Sequence, residues 1–487
     1  MGRHHASRYL LFRVTPLPDE AAPPDPTGAP APRIDIRLDD FARDKDLQAK
    51  LKARFSGAAP KAPTEEERKT YFDWLPEDLL EDWLGNLCVC EEADLADFWR
   101  CVKPSNPVTA TRIRAVELFA GIGGFRVACD HLGIQTVWAN DIDEKAVKVY
   151  SSNFGGREIV LGDINETKAG IPNHDILLAG FPCQPFSKAG KKKGVDDFRG
   201  TLFESIVDVL HDKNPPFFVL ENVSNLLSLD KGRHFMTVLS ALCSLDYHVE
   251  WKVFNVANLG LPQHRERIII VGAKTGDPET SRLLTQAEAD SLSDDAAASA
   301  ASPFWWKDIL EIRDILPKWG KAHSGKYVAA NFTPETDIFP PKRLKDVLDG
   351  NPGPEFDFTE DTLRRISNST FVNKFYNGVQ LLFNQGGGAR MGYTIFGTDG
   401  LAPTLTASSS RHYERYGIGN RYRRLTNTEY ARIQGFPDQH CRAVSVYDQY
   451  KLFGNALPPV LAEWAIDRLV HGKSSRLSAR TSLFLFG

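Results

Sequence analysis

The sequence lacks the features that mark membrane and secreted proteins. No apolar run approaches the roughly 18 residues that would suggest a membrane span. Before Val14 the only apolar cluster runs from Tyr9 to Phe12, which is too short for the core of a signal peptide. We therefore expect a cytoplasmic protein with no membrane partner.

Cysteine is also sparse. The chain of 487 residues has seven cysteines, an odd number without dense spacing, so we expect reduced thiols rather than a disulfide framework. Cys88, Cys90 and Cys101 lie close together, but no His or further Cys nearby completes a usual ligand spacing. Ordinary buried thiols are the better interpretation, and we expect no metal.

A strong charge of one sign is missing as well. The net charge of -4 argues against attraction of the whole protein to nucleic acid. It does not exclude a local basic groove, because phosphate contacts depend on where Lys and Arg lie. The composition is that of an ordinary globular protein, and the length suggests roughly two to four domains.

Composition changes divide the chain into segments. Residues 1–34 are rich in Pro and Ala and are predicted to be a disordered tail. Residues 35–111 have apolar residues at helical spacing and predict a small N-terminal helical extension. Residues 476–487 are assigned to a C-terminal tail.

An α/β pattern begins at Arg114. Short β-rich runs alternate with helical ones, which is typical of a doubly wound, mostly parallel sheet. We predict a core domain at 112–275, a smaller domain at 276–420, where this alternation is no longer seen, and a return to the core domain at 421–475. The predicted strands are 115–119, 136–139, 175–179, 217–220 and 268–271, with helices such as 144–154 and 202–210 between them.

The first segment with chemical potential follows the first predicted strand. It begins at Phe119 and contains Gly121, Gly123 and Gly124, where the backbone can approach a ligand and a helix N-terminus offers free N–H groups. A tight structural turn is the alternative. Asp141 ends the second strand, where an acid commonly receives a ribose, and Asp163 adds a carboxylate at the same sheet edge.

A second segment, Gly180 to Ser187, follows the strand that ends at Ala179. It contains Cys183, and the basic loop after it, with Lys191 and Arg199, would favour a reactive thiolate. A buried thiol is the usual alternative for a single cysteine. Flanking prolines and a basic loop are unusual neighbours for a core residue.

Two further polar segments lie at strand boundaries. Glu221 follows one apolar strand, and Arg265 and Arg267 precede the last one. A Glu in that position is seldom fully buried unless it is paired or functional. An exposed salt bridge at the rim of the sheet is the alternative.

Taken in order, these segments resemble the bacterial-type DNA cytosine-C5 methyltransferase family. The matching pieces are Phe-Ala-Gly-Ile-Gly-Gly, Pro-Cys-Gln-Pro-Phe-Ser, Glu-Asn-Val and Gln-x-Arg-x-Arg. Arg424 to Pro437 and Lys451 to Ala456 extend the resemblance, which covers about 112–275 and 421–470. It implies a Rossmann-like methyltransferase fold with a smaller target-recognition domain.

The resemblance also implies the chemistry. Cys183 would add to C6 of the cytosine, Glu221 would hold or protonate N3, and Arg267, with Arg265 beside it, would stabilise negative charge. The methyl donor would be S-adenosylmethionine. The residues expected to bind it are Phe119, Gly121, Gly123, Gly124, Asp141, Ile142, Asp163, Pro182, Leu202 and Asn455. Ile142 departs from the pattern, since the family often has an aromatic or other bulky residue there.

The substrate implied is double-stranded DNA. The family flips the target base out of the stack, and the loop at 187–199 corresponds to the segment that closes over it. Lys and Arg outnumber acids between 374 and 424, which fits a wall that faces phosphates. The residues predicted to contact DNA are Ser187, Lys191, Arg199, Arg390, Thr404 and Arg411.

Further expectations concern the biological setting. The resemblance suggests a bacterial monomer, associated with the nucleoid when bound to DNA, that modifies a site shared with a restriction endonuclease without touching it. Two alternatives stay open: a tRNA cytosine-C5 methyltransferase with the same motifs, and a catalytically inactive family member that binds DNA. The retention of Cys183, Glu221 and Arg267 argues against the inactive form.

Overall fold

The computed structural model describes residues 113–182, 202–274, 281–302, 306–336, 338–384, 394–407 and 414–472. The chain divides into two compact units, Met1–Thr111 and Arg112–Gly487, and the described residues all belong to the second. The predicted tail, N-terminal helical extension and C-terminal tail lie outside them. None of the described helices is long and apolar enough to cross a membrane.

A ten-stranded sheet forms the centre of the second unit. In space the strands follow the order β3-β2-β1-β4-β5-β7-β6-β9-β10-β8. Neighbours from β3 to β5 are parallel, and all later neighbours are antiparallel. Seven of the ten strands, β1 to β6 and β10, therefore run in the same direction, and the predicted doubly wound, mostly parallel sheet is confirmed. Its strands are β1 (Arg114–Leu118), β2 (Gln135–Asp141), β3 (Ile159–Leu161), β4 (Ile176–Gly180), β5 (Phe217–Val223), β6 (His248–Asn255), β7 (Glu266–Ala273), β8 (Lys307–Asp308), β9 (Trp319–His323) and β10 (Lys326–Ala330).

Helices cover both faces of this sheet. Residues of α4 and α5 pack on one face, and residues of α1 and α11 pack on the other. The described helices of the whole second unit are α1 (Gly124–Leu132), α2 (Glu144–Phe154), α3 (Ile164–Thr167), α4 (Leu202–Lys213), α5 (Arg233–Ser244), α6 (Gln286–Asp290), α7 (Asp294–Ala301), α8 (Glu360–Ser367), α9 (Asn427–Gln434), α10 (Val446–Asn455) and α11 (Pro459–His471). The predicted helix at 144–154 is confirmed with the same bounds, and the one at 202–210 continues to Lys213.

Alternate residues of the central strands point to two separate cores. In β4, Leu177 and Ala179 pack with α4 and α5, whereas Ile176 and Leu178 pack with α1 and α11. A strand that is buried on both faces needs an uninterrupted apolar sequence. This explains why β4 was recognisable as a strand from its residues alone.

A second sheet of five strands follows along the chain. It contains β11 (Thr370–Tyr376), β12 (Val379–Asn384), β13 (Thr394–Phe396), β14 (Arg415–Ile418) and β15 (Arg421–Arg423), which are neighbours in that order. Most of it falls in the predicted smaller domain. Strands β8 to β10, at 307–330, pair instead with the main sheet, and the domain boundaries at 276 and 420 stay predictions.

A buried ion pair joins the small sheet to α9. Two nitrogens of Arg423 donate to the carboxylate of Glu429 at 2.8 and 2.6 Å, and both side chains are buried. Glu429 also accepts the backbone N–H of Thr426 at 2.7 Å and that of Asp349 at 2.9 Å. The pair therefore fixes the start of α9 against two other segments.

We expect Glu429→Gln to lower the free energy of unfolding by about 3–5 kcal/mol, because the Arg423 charge stays buried without a counter-charge. Asp361→Asn is the matched control, since it breaks an exposed arginine pair on α8 and should cost less than about 1 kcal/mol. Urea denaturation measures both losses. Equal losses in the two variants would contradict this account of the buried pair.

Candidate active site

Several of the predicted site residues that the structure describes lie at one edge of the main sheet. The parallel strands β1, β2, β4 and β5 all end there. Strand β7 runs in the opposite direction, so it begins at the same edge, with Arg267 opposite Val223. Glu221 and Arg267 lie inside strands, although the sequence predicted Glu221 directly after a shorter strand and Arg267 directly before one.

The glycine segment forms a tight turn between β1 and α1. Phe119, Gly121 and Gly123 have φ values of 55°, 56° and 86°, a region that favours glycine. A Cβ at Gly124 would lie 2.3 Å from the carbonyl oxygen of Leu457, so only glycine fits there. The turn thus needs its glycines for both backbone conformation and close packing.

Asp141 is bound directly to this turn. Its Oδ2 accepts the N–H of Gly121 at 2.7 Å, and its Oδ1 accepts the N–H of Asp143 at 2.8 Å. Burial raises the pKa of Asp141, and these two N–H groups partly offset that rise. The carboxylate is held in one orientation and keeps further lone pairs for a ligand.

The ends of β2 and β3 are joined next to Asp141. The side-chain amide of Asn140 donates to the carbonyls of Val160 and Gly162, both at 3.0 Å. Asp163 follows, and its Oδ1 accepts the N–H of Asn165 at 2.8 Å at the start of α3. Ile142 is 69% exposed at this edge, which leaves its apolar surface available for contact.

Glu221 and Arg267 form an ion pair across β5 and β7. Their Oε1 and Nε atoms are 2.8 Å apart, and the side chains are 12% and 11% exposed. Burial raises the pKa of Glu221, while the positive charges of Arg267 and Arg265 lower it. A Cβ at Gly180 would lie 3.3 Å from Oε2 of Glu221, so the absence of a side chain leaves space beside that oxygen.

Cys183 lies outside the described residues, and the structure describes the segment that leads to it as far as Pro182. The buried Asn222 donates through Nδ2 to the carbonyl of Phe181 at 2.9 Å. Phe181 is buried, and Pro182, directly before Cys183, is exposed. This hydrogen bond holds Phe181, two residues before Cys183, against β5, the strand that carries Glu221.

The remaining predicted donor-binding residues occupy helix ends. Leu202 is half-buried at the start of α4, and Asn455 is exposed at the end of α10. The glycine turn, Asp141, Ile142 and Asp163 belong to the strand edge described above. Such an arrangement, with a fixed acid and exposed apolar surface next to a helix N-terminus, suits a nucleoside with a charged end.

Arg265 has an environment unlike that of Arg267. Its Nη1 donates to the carbonyl of Leu405 at 2.9 Å, and its Nη2 donates to those of Gly454 at 2.9 Å and Ala456 at 3.0 Å. The residue is 0% exposed. Both arginines were predicted to act on the pyrimidine, but only Arg267 lies in the ion pair with Glu221.

Thr404 is the predicted DNA contact that the structure describes. Its hydroxyl donates to the carbonyl of His264 at 2.7 Å, which joins it to the segment that carries Arg265. The other predicted contacts, Ser187, Lys191, Arg199, Arg390 and Arg411, lie outside the described residues.

Three buried amides were missed as functional candidates. Asn140 and Asn222 fix the strand ends, and Gln263 accepts the N–H of Leu405 at 3.0 Å and donates to Gln434 at 3.0 Å. Each stands within or next to a segment that was singled out. The signal available was an amide in an apolar setting, where a polar group requires a hydrogen-bond partner.

No group of three or more potential metal ligands occurs among the described residues. The polar groups at the strand edge are instead a carboxylate and a guanidinium held against each other. Together they can hydrogen bond a ring nitrogen and a carbonyl of a planar heterocycle and stabilise charge that develops on it.

Comparison with known proteins agrees with this geometry. Residues 113–471 match the sequence model of the C-5 cytosine-specific DNA methylase family. The chain is 33% identical to the Type II methyltransferase M1.ScrFI of Lactococcus lactis subsp. cremoris, covering 73% of this chain and 77% of that protein. It is 34% identical to M.HpaII of Haemophilus parainfluenzae, covering 74% and 90%, and 32% identical to M.HhaI of Haemophilus parahaemolyticus, covering 71% and 91%. The protein therefore belongs to the C-5 cytosine-specific DNA methylase family and is a DNA cytosine-5-methyltransferase.

Proposed function

We propose that the protein methylates C5 of a cytosine within a specific duplex DNA sequence, with S-adenosylmethionine as donor and a covalent bond between Cys183 and C6. The observation that carries the proposal is the pair of Glu221 and Arg267, 2.8 Å apart at the strand edge. The chain reaches Cys183 from Phe181, which is hydrogen bonded to Asn222, the neighbour of Glu221. These contacts support a single site for all three side chains.

The donor fits the residues at the same edge. The glycine turn offers the N-terminus of α1 to a carboxylate. Asp141, held by Gly121 and Asp143, is oriented to accept a ribose hydroxyl pair. The exposed side chain of Ile142 provides apolar contact for an adenine ring. S-adenosylmethionine supplies an electrophilic methyl group when it is bound.

The protein's task is to make C5 a nucleophile, since the aromatic ring is a poor one. The Cys183 thiolate forms a bond to C6, and the ring electrons then become available at C5. Glu221, whose pKa is raised by burial, holds a proton at N3, and Arg267 stabilises charge at the carbonyl. After methylation the C5 proton leaves to a base, the sulfur–carbon bond breaks and the thiolate is restored.

Access to C5 requires a flipped base. The target carbon is stacked inside the duplex, and unstacking costs a few kcal/mol. We assign the loop at 187–199, with Ser187, Lys191 and Arg199, to closing over the extruded base. Arg390, Thr404 and Arg411 are assigned to the DNA-facing side of a target-recognition domain at 276–420.

The relatives suggest the biological role. Those named above are Type II methyltransferases, so we propose that this protein is the modification enzyme of a restriction–modification system. It would act as a cytoplasmic monomer on a site shared with an endonuclease that it does not contact.

The direct test is transfer of labelled methyl from S-adenosylmethionine to duplex DNA and to tRNA in parallel. We expect label in duplex DNA and none in tRNA, with bisulfite sequencing placing the modified cytosine in one recurring sequence. Label in tRNA alone would support the RNA alternative and refute the proposal.

Cys183→Ala should abolish methyl transfer and leave duplex binding largely intact, because it removes the nucleophile without altering phosphate contacts. The matched control is Cys243→Ala on α5, at the opposite end of the strands, which should keep methyl transfer. Transfer of labelled methyl and electrophoretic mobility of a duplex measure the two properties. Normal turnover by Cys183→Ala would refute the covalent mechanism.

Glu221 should produce a pH dependence. An acid with a raised pKa keeps its proton at low pH and loses it as the pH rises, so kcat/KM should fall on the alkaline side of that pKa. Glu221→Gln keeps a hydrogen-bond donor but cannot transfer a proton, and we expect activity to fall by about 10²–10⁴. The alkaline decline should disappear in the variant. An unchanged pH profile would contradict the role assigned to Glu221.

A further inference from the structure

The buried arginine at 265 contacts two segments that the proposed function assigns to different tasks. We infer that Arg265 is a positioning residue, which holds the donor-binding segment and the recognition segment in place and does not contact the cytosine. The inference rests on the proposed function, since it assumes a donor near Asn455 and a DNA strand near Thr404.

The two arginines of the Gln-x-Arg-x-Arg segment differ in burial and in hydrogen bonding. Arg267 is 11% exposed and its Nε faces Glu221 at 2.8 Å. Arg265 is 0% exposed, and its two terminal nitrogens make three hydrogen bonds to backbone carbonyls. Its Nε has no hydrogen-bond partner but is buried, so a flipped base could reach Arg265 only if the residues around it moved. Arg267 is therefore the arginine that remains available to a pyrimidine.

The first contact holds the recognition segment. Leu405 follows Thr404, and residues 402–405 lie along residues 262–265. The N–H of Ala402 donates to Pro262 at 2.8 Å, and the N–H of His264 donates to Ala402 at 2.8 Å. Arg265 adds its bond to the Leu405 carbonyl at the end of this pairing. Arg265 thus holds the chain at Leu405, six residues before the predicted DNA contact at Arg411.

The other two contacts hold the donor-binding segment. Gly454 and Ala456, whose carbonyls accept from Arg265, stand on either side of the exposed Asn455. A Cβ at Gly454 would lie 2.4 Å from the backbone of Thr406, so this segment touches the recognition segment directly. One guanidinium thus sets the position of Asn455 relative to Thr404.

Arginine is required at this position by geometry. Burial lowers the pKa of Arg265 to about 9, so it still carries its charge at neutral pH. Its planar fork reaches three carbonyls from two nitrogens, whereas a lysine offers a single nitrogen. Arg265→Lys keeps the charge and loses the spread of donors, which makes it a sharp probe of positioning.

We expect Arg265→Lys to weaken binding of S-adenosylhomocysteine, measured by calorimetry without DNA, by about tenfold or more, because buried carbonyls lose their donors. The KM for duplex DNA should rise by a similar factor. The value of kcat at saturating DNA and donor should fall much less than in Arg267→Lys. In Arg267→Lys we expect a loss of about 10²–10³ in kcat with unchanged S-adenosylhomocysteine binding.

Leu242→Ala is the control for reduced stability alone, because it opens a cavity in the core under α5, near the end of that helix that leads into β6, and it should leave both constants unchanged. If Arg265→Lys lowers kcat as Arg267→Lys does while both binding constants stay normal, the inference is overturned. Failure of the unaltered protein to methylate DNA would instead refute the proposed function.

A structure of the unaltered protein with duplex DNA and S-adenosylhomocysteine tests the inference even if Arg265→Lys does not fold. All three carbonyl bonds should persist, with no Arg265 nitrogen within about 3.5 Å of the flipped base. A hydrogen bond from Arg265 to the base would overturn the positioning role.

Discussion

The reversed direction of β7 is the constraint on which the site depends. Because β7 runs against β5, its first residues lie at the edge where the parallel strands end. Arg267 therefore meets Glu221 at 2.8 Å. If β7 ran parallel to β5, its first residues would lie at the opposite edge of the sheet. A parallel sheet alone would bring together the glycine turn, Asp141 and the end of β4, but it would leave the carboxylate at 221 without its cation.

The pairing of β5 with β7 also determines the electrostatics of Glu221 and Arg267. Burial penalises an isolated carboxylate and an isolated guanidinium heavily, and each charge is tolerable mainly because the other is present. Burial raises the pKa of Glu221, and the two arginines oppose that rise. The carboxyl group can therefore take up a proton or release it to a bound ring. A site whose charges are already largely buried and paired needs little rearrangement when charge develops on a bound ring.

The sequence predicted features with a local cause. An apolar run buried on both faces identified β4, and helical spacing after Asp143 identified α2 with its exact bounds. Strand β6 was missed because Glu250 and Lys252 interrupt its apolar pattern. Both are buried: Glu250 accepts from Trp319 Nε1 at 2.8 Å, and Lys252 is paired with Glu288. These partners lie far along the chain, so no local pattern predicts that the two charges belong in a core.

The two arginines of one motif illustrate the same limit in the site itself. They stand two residues apart, a spacing that in a strand directs side chains to one face and suggests one shared role. The surroundings of Arg265 are set by residues 140 to 191 positions away: the carbonyls of Leu405, Gly454 and Ala456 converge on it. Buried carbonyls without donors would be costly, so the fold needs the N–H donors that the Arg265 guanidinium supplies there. The positive charge of Arg267 lowers the pKa of Arg265, and the negative charge of Glu221 raises it. The carboxylate that pairs with Arg267 therefore also stabilises the charge of Arg265.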